Sequence, residues 1–487
     1  MKVMIAYPPI EDGKGIPLLT QNRQFQWFNK PTYIYPVVPA TAATLLKSKG
    51  YDVVWADGIA EGLTYSRFVD MVRQENPDII AIETKTPVVK KHWRIVDEFK
   101  ALATDDWKPN VVLLGDHVTA LPRESMENCR VDFVLTGGDY DFSLLNLADH
   151  LSRGSALEPG VWYRRNSDID NTGKFELKHD LNDEPTIDRD LTKWRLYAYK
   201  NGNFRKRPGA YVMAGRDCWW GKCTFCSWTT IFPKYRVRKP ENVLDEIGEL
   251  IGKYGVREIM DDTGTFPAGQ WLETFCQGMI DRGYNKKVTM NCNMRAGALK
   301  KKHYDMMAKA GFRMLLYGLE AADQTVLNRV NKGTTTEEIA EACRMAKQAG
   351  LQPHITTMVG YPWETKESAT KTIDFARDLF AKGWVDSLQS SIIIPYPGTP
   401  LFDECKKNGW LVTEDWDRYD MTESVIKSAL SNEDIKDLTK GLYKSFLTPR
   451  FIIKKLLAIR SFQDIKFLGR AGLSVISRLR EFSRGTS

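Results

Sequence analysis

AGRDCWWGKCTFCSW, residues 214–228, sets three cysteines on one short segment, with four residues between Cys218 and Cys223 and two between Cys223 and Cys226. Thiols this close are either inert, or bind zinc, or bind an iron–sulfur cluster. A structural zinc site takes four ligands, and the nearest other cysteines, Cys276 and Cys292, lack paired spacing. A cluster held by three thiolates leaves one iron open to an outside ligand, an arrangement that serves chemistry rather than structure. Iron–sulfur is favoured over zinc on that ground. Cys129, Cys276, Cys292, Cys343 and Cys405 are scattered through helix and strand patterns and make no disulfide framework.

Downstream of the cysteines, short β-branched runs alternate with helical patterns. Strands are expected at Ala210–Met213, Glu258–Met260, Val288–Cys292, Met314–Leu319, Pro353–Val359 and Ser387–Ile394, with helices between them. A run of β/α units can close or half close into a barrel with its site at the carboxyl ends of the strands. The cysteine loop then follows the first strand and lies at that end.

Three closely set cysteines with Phe225 before the last resemble the radical S-adenosylmethionine (SAM) motif. The family usually has three residues between its first two cysteines; the four found here are a variant of its cobalamin-dependent branches. Four further segments match the family in order: MDDTGTF (260–266), YGLEAA (317–322), ITTMVGYPWET (355–365) and PYPGTPLF (395–402). The resemblance, spanning about 210–402, implies a 4Fe-4S cluster on Cys218, Cys223 and Cys226. It implies SAM held near Phe225, with Asp261 or Asp262 at its amino group, Glu320 at its ribose or amino group, and Val359 and Gly360 near adenine. Arg295, in NCNMRAG, is a candidate for the SAM carboxylate or an acidic substrate. For either aspartate the alternative is a helix cap or an internal salt bridge.

The first 150 residues alternate in the same way, with strands at Val3–Tyr7, Asp52–Ala56, Ile79–Ile82, Val111–Leu114 and Phe133–Leu135. That order implies parallel strands in a doubly wound sheet, with a ligand beyond their carboxyl ends. No glycine-rich dinucleotide fingerprint follows the first strand. The succession MKVMIAYPP, VVPATAATLLKSKGYDVVWADG, NPDIIAIETKTP, VVLLGDHVTALPRE and DFVLTGGDYDFSLLNLADHL resembles the cobalamin-binding domain that precedes many radical SAM cores. The resemblance puts Pro8, Thr84, Thr86, Asp116, His117, Gly137 and Gly138 at the cobalamin. The first loop, PPIEDGKG, has no histidine, so a lower axial histidine from it is not expected. For His117 the alternative is a hydrogen-bonded loop residue.

The fold class expected is α/β. A doubly wound, flavodoxin- or Rossmann-like cobalamin-binding domain (1–152) precedes a connector (153–209), a partial (β/α)6 TIM-like radical SAM barrel (210–402) and a helical C-terminal region (403–487). In the connector, GVWYRRNSDIDNTGKFELKHD (160–180) reads as two strands around an Asn-Thr-Gly turn. Trp410, Trp416 and Tyr419 are expected near a substrate cover. Residues 451–482 place basic side chains between apolar ones at helical spacing, suiting either a membrane surface or a packed helix pair.

Composition limits the alternatives. No apolar run reaches the roughly 18–20 residues of a membrane span. The start of the chain reads as a strand rather than a signal peptide, which with free cysteines points to a cytoplasmic protein. The net charge of +7 belongs largely to the tail, and no nucleic-acid module accompanies it. The resemblance implies that an electron donor such as flavodoxin or ferredoxin reduces the cluster and that SAM yields a 5′-deoxyadenosyl radical. That radical then takes hydrogen from an unactivated carbon of a small-molecule, lipid or peptide substrate. With methylcobalamin alongside, the outcome is C-methylation. A cobalamin-containing cyclase or rearrangement enzyme of tetrapyrrole-ring type is the alternative, and a zinc-holding interaction protein a remote one.

Overall fold

Strand β1 (Lys2–Tyr7) is central, with its last five residues buried. It pairs in parallel with β2 (Asp52–Asp57) on one side and β3 (Ile79–Glu83) on the other, and β4 (Asn110–Leu114) and β5 (Phe133–Leu135) continue outward from β3. The computed structural model describes residues 1–19, 25–29, 31–165, 168–201 and 204–444, together with 453, 459, 465–466, 468–470 and 472–473. Alternate residues of the strands serve opposite faces, as the pleat requires. Val3, Ile5, Ile79, Ala81 and Val112 pack with helices α1 (Val37–Ser48) and α5 (Tyr140–Arg153). Met4, Ala6, Ile80, Ile82 and Leu113 pack with α2 (Tyr65–Glu75) and α3 (Val89–Ala101). The order β2-β1-β3-β4-β5 reverses between β1 and β3, and a short helix, α4 (Asp116–Ala120), follows β4 at the carboxyl end.

The connector departs from the sequence expectation. Strands β6 (Val161–Arg165) and β7 (Asp168–Asn171) form the hairpin, and Arg165 opposite Asp168 puts the reversal before the Asn-Thr-Gly triplet, not at it. Asn171 Oδ1 instead accepts from Gly173 N at 2.9 Å, an Asx turn that ends β7. β6 pairs antiparallel with β5, so the hairpin extends the first sheet to seven strands. Arg164 holds it there, donating from Nε to Val131 O at 3.0 Å and from Nη2 to Cys129 O at 2.7 Å.

The second sheet is wholly parallel, in sequential order β8 (Gly209–Val212), β9 (Glu258–Asp261), β10 (Thr289–Met294), β11 (Phe312–Glu320), β12 (Gln352–Val359) and β13 (Ser387–Ile392). Among the described residues β13 has no strand partner beyond β12. Its outer edge is met by Tyr443 of the C-terminal helix Asn432–Lys444, whose hydroxyl accepts from Ser390 N at 3.2 Å and donates to Ser390 O at 3.0 Å. Apart from the single residues named above, the basic segment 451–482 lies outside the described residues. Among those described, no helix is long and apolar enough to cross a membrane.

The two sheets turn their carboxyl ends toward each other. Helix α6 (Trp228–Ile231), which follows the cysteine loop, packs on α4, and Gly138 N donates to Ile231 O at 2.9 Å. Gly138 must be glycine, because a Cβ there would lie 2.2 Å from the Phe232 ring. Arg216, two residues before the first cysteine and 3% exposed, completes the joint. It donates from Nη1 to Asp139 Oδ1 and Asp141 Oδ1, each at 3.0 Å, and its Nη2 pairs with Asp141 Oδ2 at 2.5 Å and Glu184 Oε1 at 2.7 Å. Arg236 adds a second guanidinium on Asp139, at 2.7 Å.

Removing Arg216 leaves the Asp141 carboxylate buried without its cation, a loss that costs about 3–5 kcal/mol. Arg216→Met is expected to lower stability by that amount in chemical denaturation followed by tryptophan fluorescence. A loss under about 1 kcal/mol, the range of exposed pairs, would remove Arg216 as the tie.

Candidate functional site

The cysteine loop is built on backbone partners drawn from two neighbouring strands. Gly215–Arg216 pairs antiparallel with Arg236–Val237, closing the loop at its base. Asp217, buried, accepts from Gly264 N at 2.6 Å, and Cys218 Sγ lies 3.1 Å from Thr265 Oγ1, so the turn after β9 supports the first cysteine. Cys226 N donates to Cys223 O at 3.3 Å, folding the last two cysteines into one tight turn. Trp220 Nε1 donates to Asn331 O at 2.8 Å and Thr224 N to Val330 O at 3.0 Å.

These three thiols differ from the rest. Burial pushes Cys129, Cys276, Cys343 and Cys405 up to about 12, which keeps them protonated and unreactive. Cys218, Cys223 and Cys226 are only half-buried. Burial also raises Cys223, but Lys332 and Arg295 pull it down. Among the described residues no three His, Cys, Asp or Glu side chains converge as a single metal ion would require. A cluster takes each thiolate on a different iron and needs no such convergence, and thiols on one loop with two cations nearby suit an anionic group of that kind.

The residues expected around SAM divide into two groups. Asp261 is fully buried and engaged by backbone, accepting from Ala214 N at 2.9 Å and Thr263 N at 3.0 Å. Its pKa is raised to about 6 by burial. Asp262 lies one residue further along and donates its N–H to Val212 O. Arg295 stacks 4.0 Å over Trp220 and donates from Nη2 to Lys332 O and to Gly333 O, the latter at 2.6 Å. Glu320 has φ of +62° at the end of β11 and pairs with Lys332 at 2.7 Å. Val359 is buried at the end of β12, and Gly360 N donates to Glu364 Oε2 at 2.6 Å. Phe225 packs partly buried against the outer core. Sequence reading did not pick out Tyr235 or Tyr361. The hydroxyls of Tyr235 and Tyr361 are buried without a hydrogen-bond partner among the described residues. Buried hydroxyls without a protein partner are open to hydrogen bonds from a polar ligand.

At the carboxyl end of the first sheet, the expected cobalamin residues lock onto one another. Thr84 Oγ1 meets His92 Nδ1 at 2.7 Å, and burial lowers His92 to about 3, so it is neutral. His117 is 1% exposed with both ring nitrogens engaged, Nδ1 at 3.1 Å from Thr86 Oγ1 and Nε2 at 3.0 Å from Glu124 Oε2. Asp116 accepts from His117 N at 2.8 Å, Gly137 N donates to Thr119 Oγ1 at 3.1 Å, and Pro8 is buried. Gly115 lets the β3 and β4 loops meet, since a Cβ there would lie 2.1 Å from Thr84 O. The donor set suits the amide rim of a corrin, and ligation of cobalt by His117 would first break the bond at whichever ring nitrogen it used. Trp416 and Tyr419 are buried here, Trp416 Nε1 donating to Glu124 Oε1 at 2.9 Å. They cap this domain. Trp410 stands apart, beside Trp363.

The crevice between β1 and β3 holds a pair that no motif marks: Tyr7 Oη donates to Glu83 Oε2 at 2.5 Å. Burial raises Glu83 to about 7 from 4.5. With the folded pKa above the unfolded one, its stabilising contribution is full below about pH 4.5 and is lost as pH rises through about 7. Glu83→Gln is expected to remove its share of this decline, on the order of 3 kcal/mol, making the fall of the denaturation midpoint between those pH values shallower. An unchanged slope in the variant would exclude Glu83 as its source.

Residues 213–376 match the family model described as the radical SAM superfamily. The chain is 28% identical over 469 residues to an uncharacterised methyltransferase of Pyrococcus horikoshii, covering 95% of this chain and 96% of that one. It is 30% identical over 438 residues to the anaerobic magnesium-protoporphyrin IX monomethyl ester cyclase of Cereibacter sphaeroides, covering 86% and 68%. Among solved structures, the radical SAM methyltransferase TsrM of Kitasatospora setae, with cobalamin and a [4Fe-4S] cluster bound, superposes with a TM-score of 0.68 at 14% identity. That match covers 98% of this chain and 99% of TsrM, and it establishes a shared fold.

Proposed function

Because the chain belongs to the radical SAM superfamily, we propose that it methylates an unactivated carbon of a small-molecule, lipid or peptide substrate. In this reading Cys218, Cys223 and Cys226 hold a 4Fe-4S cluster beside SAM, and the first domain holds cobalamin. When bound, these groups supply one-electron chemistry that activates a carbon and a methyl group to transfer to it. The observation that carries the reading is the joint at Arg216. It sets the carboxyl end of the first sheet beside the segment that leads into the cysteine loop, which supports transfer between groups held on the two sides.

The chain's own residues then have defined tasks. Thr265, Asp217 and the Val330–Gly333 turn orient the cysteine loop. Asp262, Glu320, Val359 and Gly360 bound the SAM position, with Tyr235 and Tyr361 offering hydroxyls to it. Thr84, Thr86, Asp116, His117, Gly137 and Gly138 form the floor for cobalamin, sealed from water by Trp416. The partial barrel gives the SAM end its shape, and a one-electron donor protein of flavodoxin or ferredoxin type serves it. The identity with a tetrapyrrole cyclase over most of the chain favours ring closure as the second reading.

Anaerobically reconstituted chain, given cobalamin, SAM and dithionite, is expected to form 5′-deoxyadenosine, and a substrate should gain one methylene in mass. Loss of hydrogens or gain of oxygen would favour ring closure. Cys218→Ala, Cys223→Ala and Cys226→Ala should each reduce 5′-deoxyadenosine formation at least about a thousandfold, with Cys276→Ala near wild type. Undiminished formation in any of the three would withdraw that ligand.

A further inference from the structure

The turn Val330–Gly333, to which the sequence motifs assign nothing, seats the cysteine loop. Val330 O accepts from Thr224 N and Asn331 O from Trp220 Nε1. The carbonyls of Lys332 and Gly333 accept from Arg295, whose guanidinium stacks on that same Trp220. Four consecutive carbonyls are thereby taken up in holding the loop, and the one long side chain among the four residues turns inward. Lys332 Nζ lies 2.7 Å from Glu320 Oε1, with only 13% and 9% of the two side chains exposed. Val330 O, two residues before Lys332, is bonded at 3.0 Å to Thr224 N, next to Cys223, so the buried pair belongs to the turn that carries the loop's second cysteine.

Resting on the cluster assignment above, we propose that Lys332 is a positioning residue that sets the reduction potential of the cluster, its buried ammonium acting on the thiolate of Cys223. Reduction adds one electron to an already anionic cluster. A fixed positive charge in a low-dielectric setting stabilises the reduced form more than the oxidised one and raises the potential. Glu320 holds the ammonium in place and offsets part of its field, so the two residues act with opposite sign. Arg295, clamped on Trp220, is a second cation at greater structural cost to remove, because the loop itself hangs on it.

The test is a redox titration of the anaerobically reconstituted full chain without SAM, with dithionite as reductant and electron paramagnetic resonance as readout, after iron and sulfide have been counted. Lys332→Met is expected to shift the reduction equilibrium at least tenfold toward the oxidised cluster, about 59 mV lower. Lys332→Arg should stay within about twofold of wild type, and Glu320→Gln should shift upward. An unchanged midpoint in Lys332→Met, or a downward shift in both neutralised variants, overturns the proposal. If Lys332→Met fails to hold iron, Glu320→Gln decides alone: a raised midpoint supports the charge effect and an unchanged or lower one overturns it. A wild-type chain that takes up no iron and sulfide overturns the cluster assignment and this proposal with it, whereas a loaded chain with unmoved midpoints overturns the proposal alone.

Discussion

Arg216 is buried between the facing carboxyl ends of the two sheets, beside the packing of α6 on α4 and the Gly138–Ile231 backbone bond. Its guanidinium faces Asp139, Asp141 and Glu184, while Arg236 shares Asp139. Burial raises the Glu184 carboxyl against the pull of Arg216, favouring the neutral acid and leaving two guanidiniums facing two carboxylates. Such a group is directional where apolar packing is not: it specifies one angle of approach between the domains. Since Arg216 lies two residues before Cys218, the same contact places the cysteine loop.

The thiol chemistry follows from how little of the loop is enclosed. Deep burial disarms Cys129, Cys276, Cys343 and Cys405, whereas the loop leaves its three cysteines only partly buried. Rigidity comes from carbonyls and hydroxyls contributed by other strands, which hold the loop without drawing the sulfur atoms into the core.

Much of this was readable from the chain because it is local. The strands of both sheets fall within a residue or two of their expected bounds, since a β-branched run followed by a helical period reports itself. The three cysteines were equally plain. What escaped was set by residues far apart in sequence. The hairpin turned early because Arg164 anchors it to residues near 130, a partner that no turn rule contains. His117 read either as a cobalamin contact or as a hydrogen-bonded loop histidine, and its partners Thr86 and Glu124, with Trp416 against its ring, are set by the fold. Asp261 and Asp262 were equivalent in sequence; only the fold gives the first to the N–H groups of Ala214 and Thr263. Arg295 pointed at a carboxylate on charge alone, and its stacking on Trp220 depends on a turn some forty residues away.

The hydroxyl of Tyr443 bears on how the molecule keeps to itself. A parallel sheet that stops at six strands leaves a row of backbone donors and acceptors that a strand from another copy could extend, a route to edge-to-edge association. On β13 one phenol satisfies both the N–H and the C=O of Ser390, and the helix carrying it lies where a seventh strand would dock. The helix Asn432–Lys444 thus occupies the edge of β13 that an incoming strand would need.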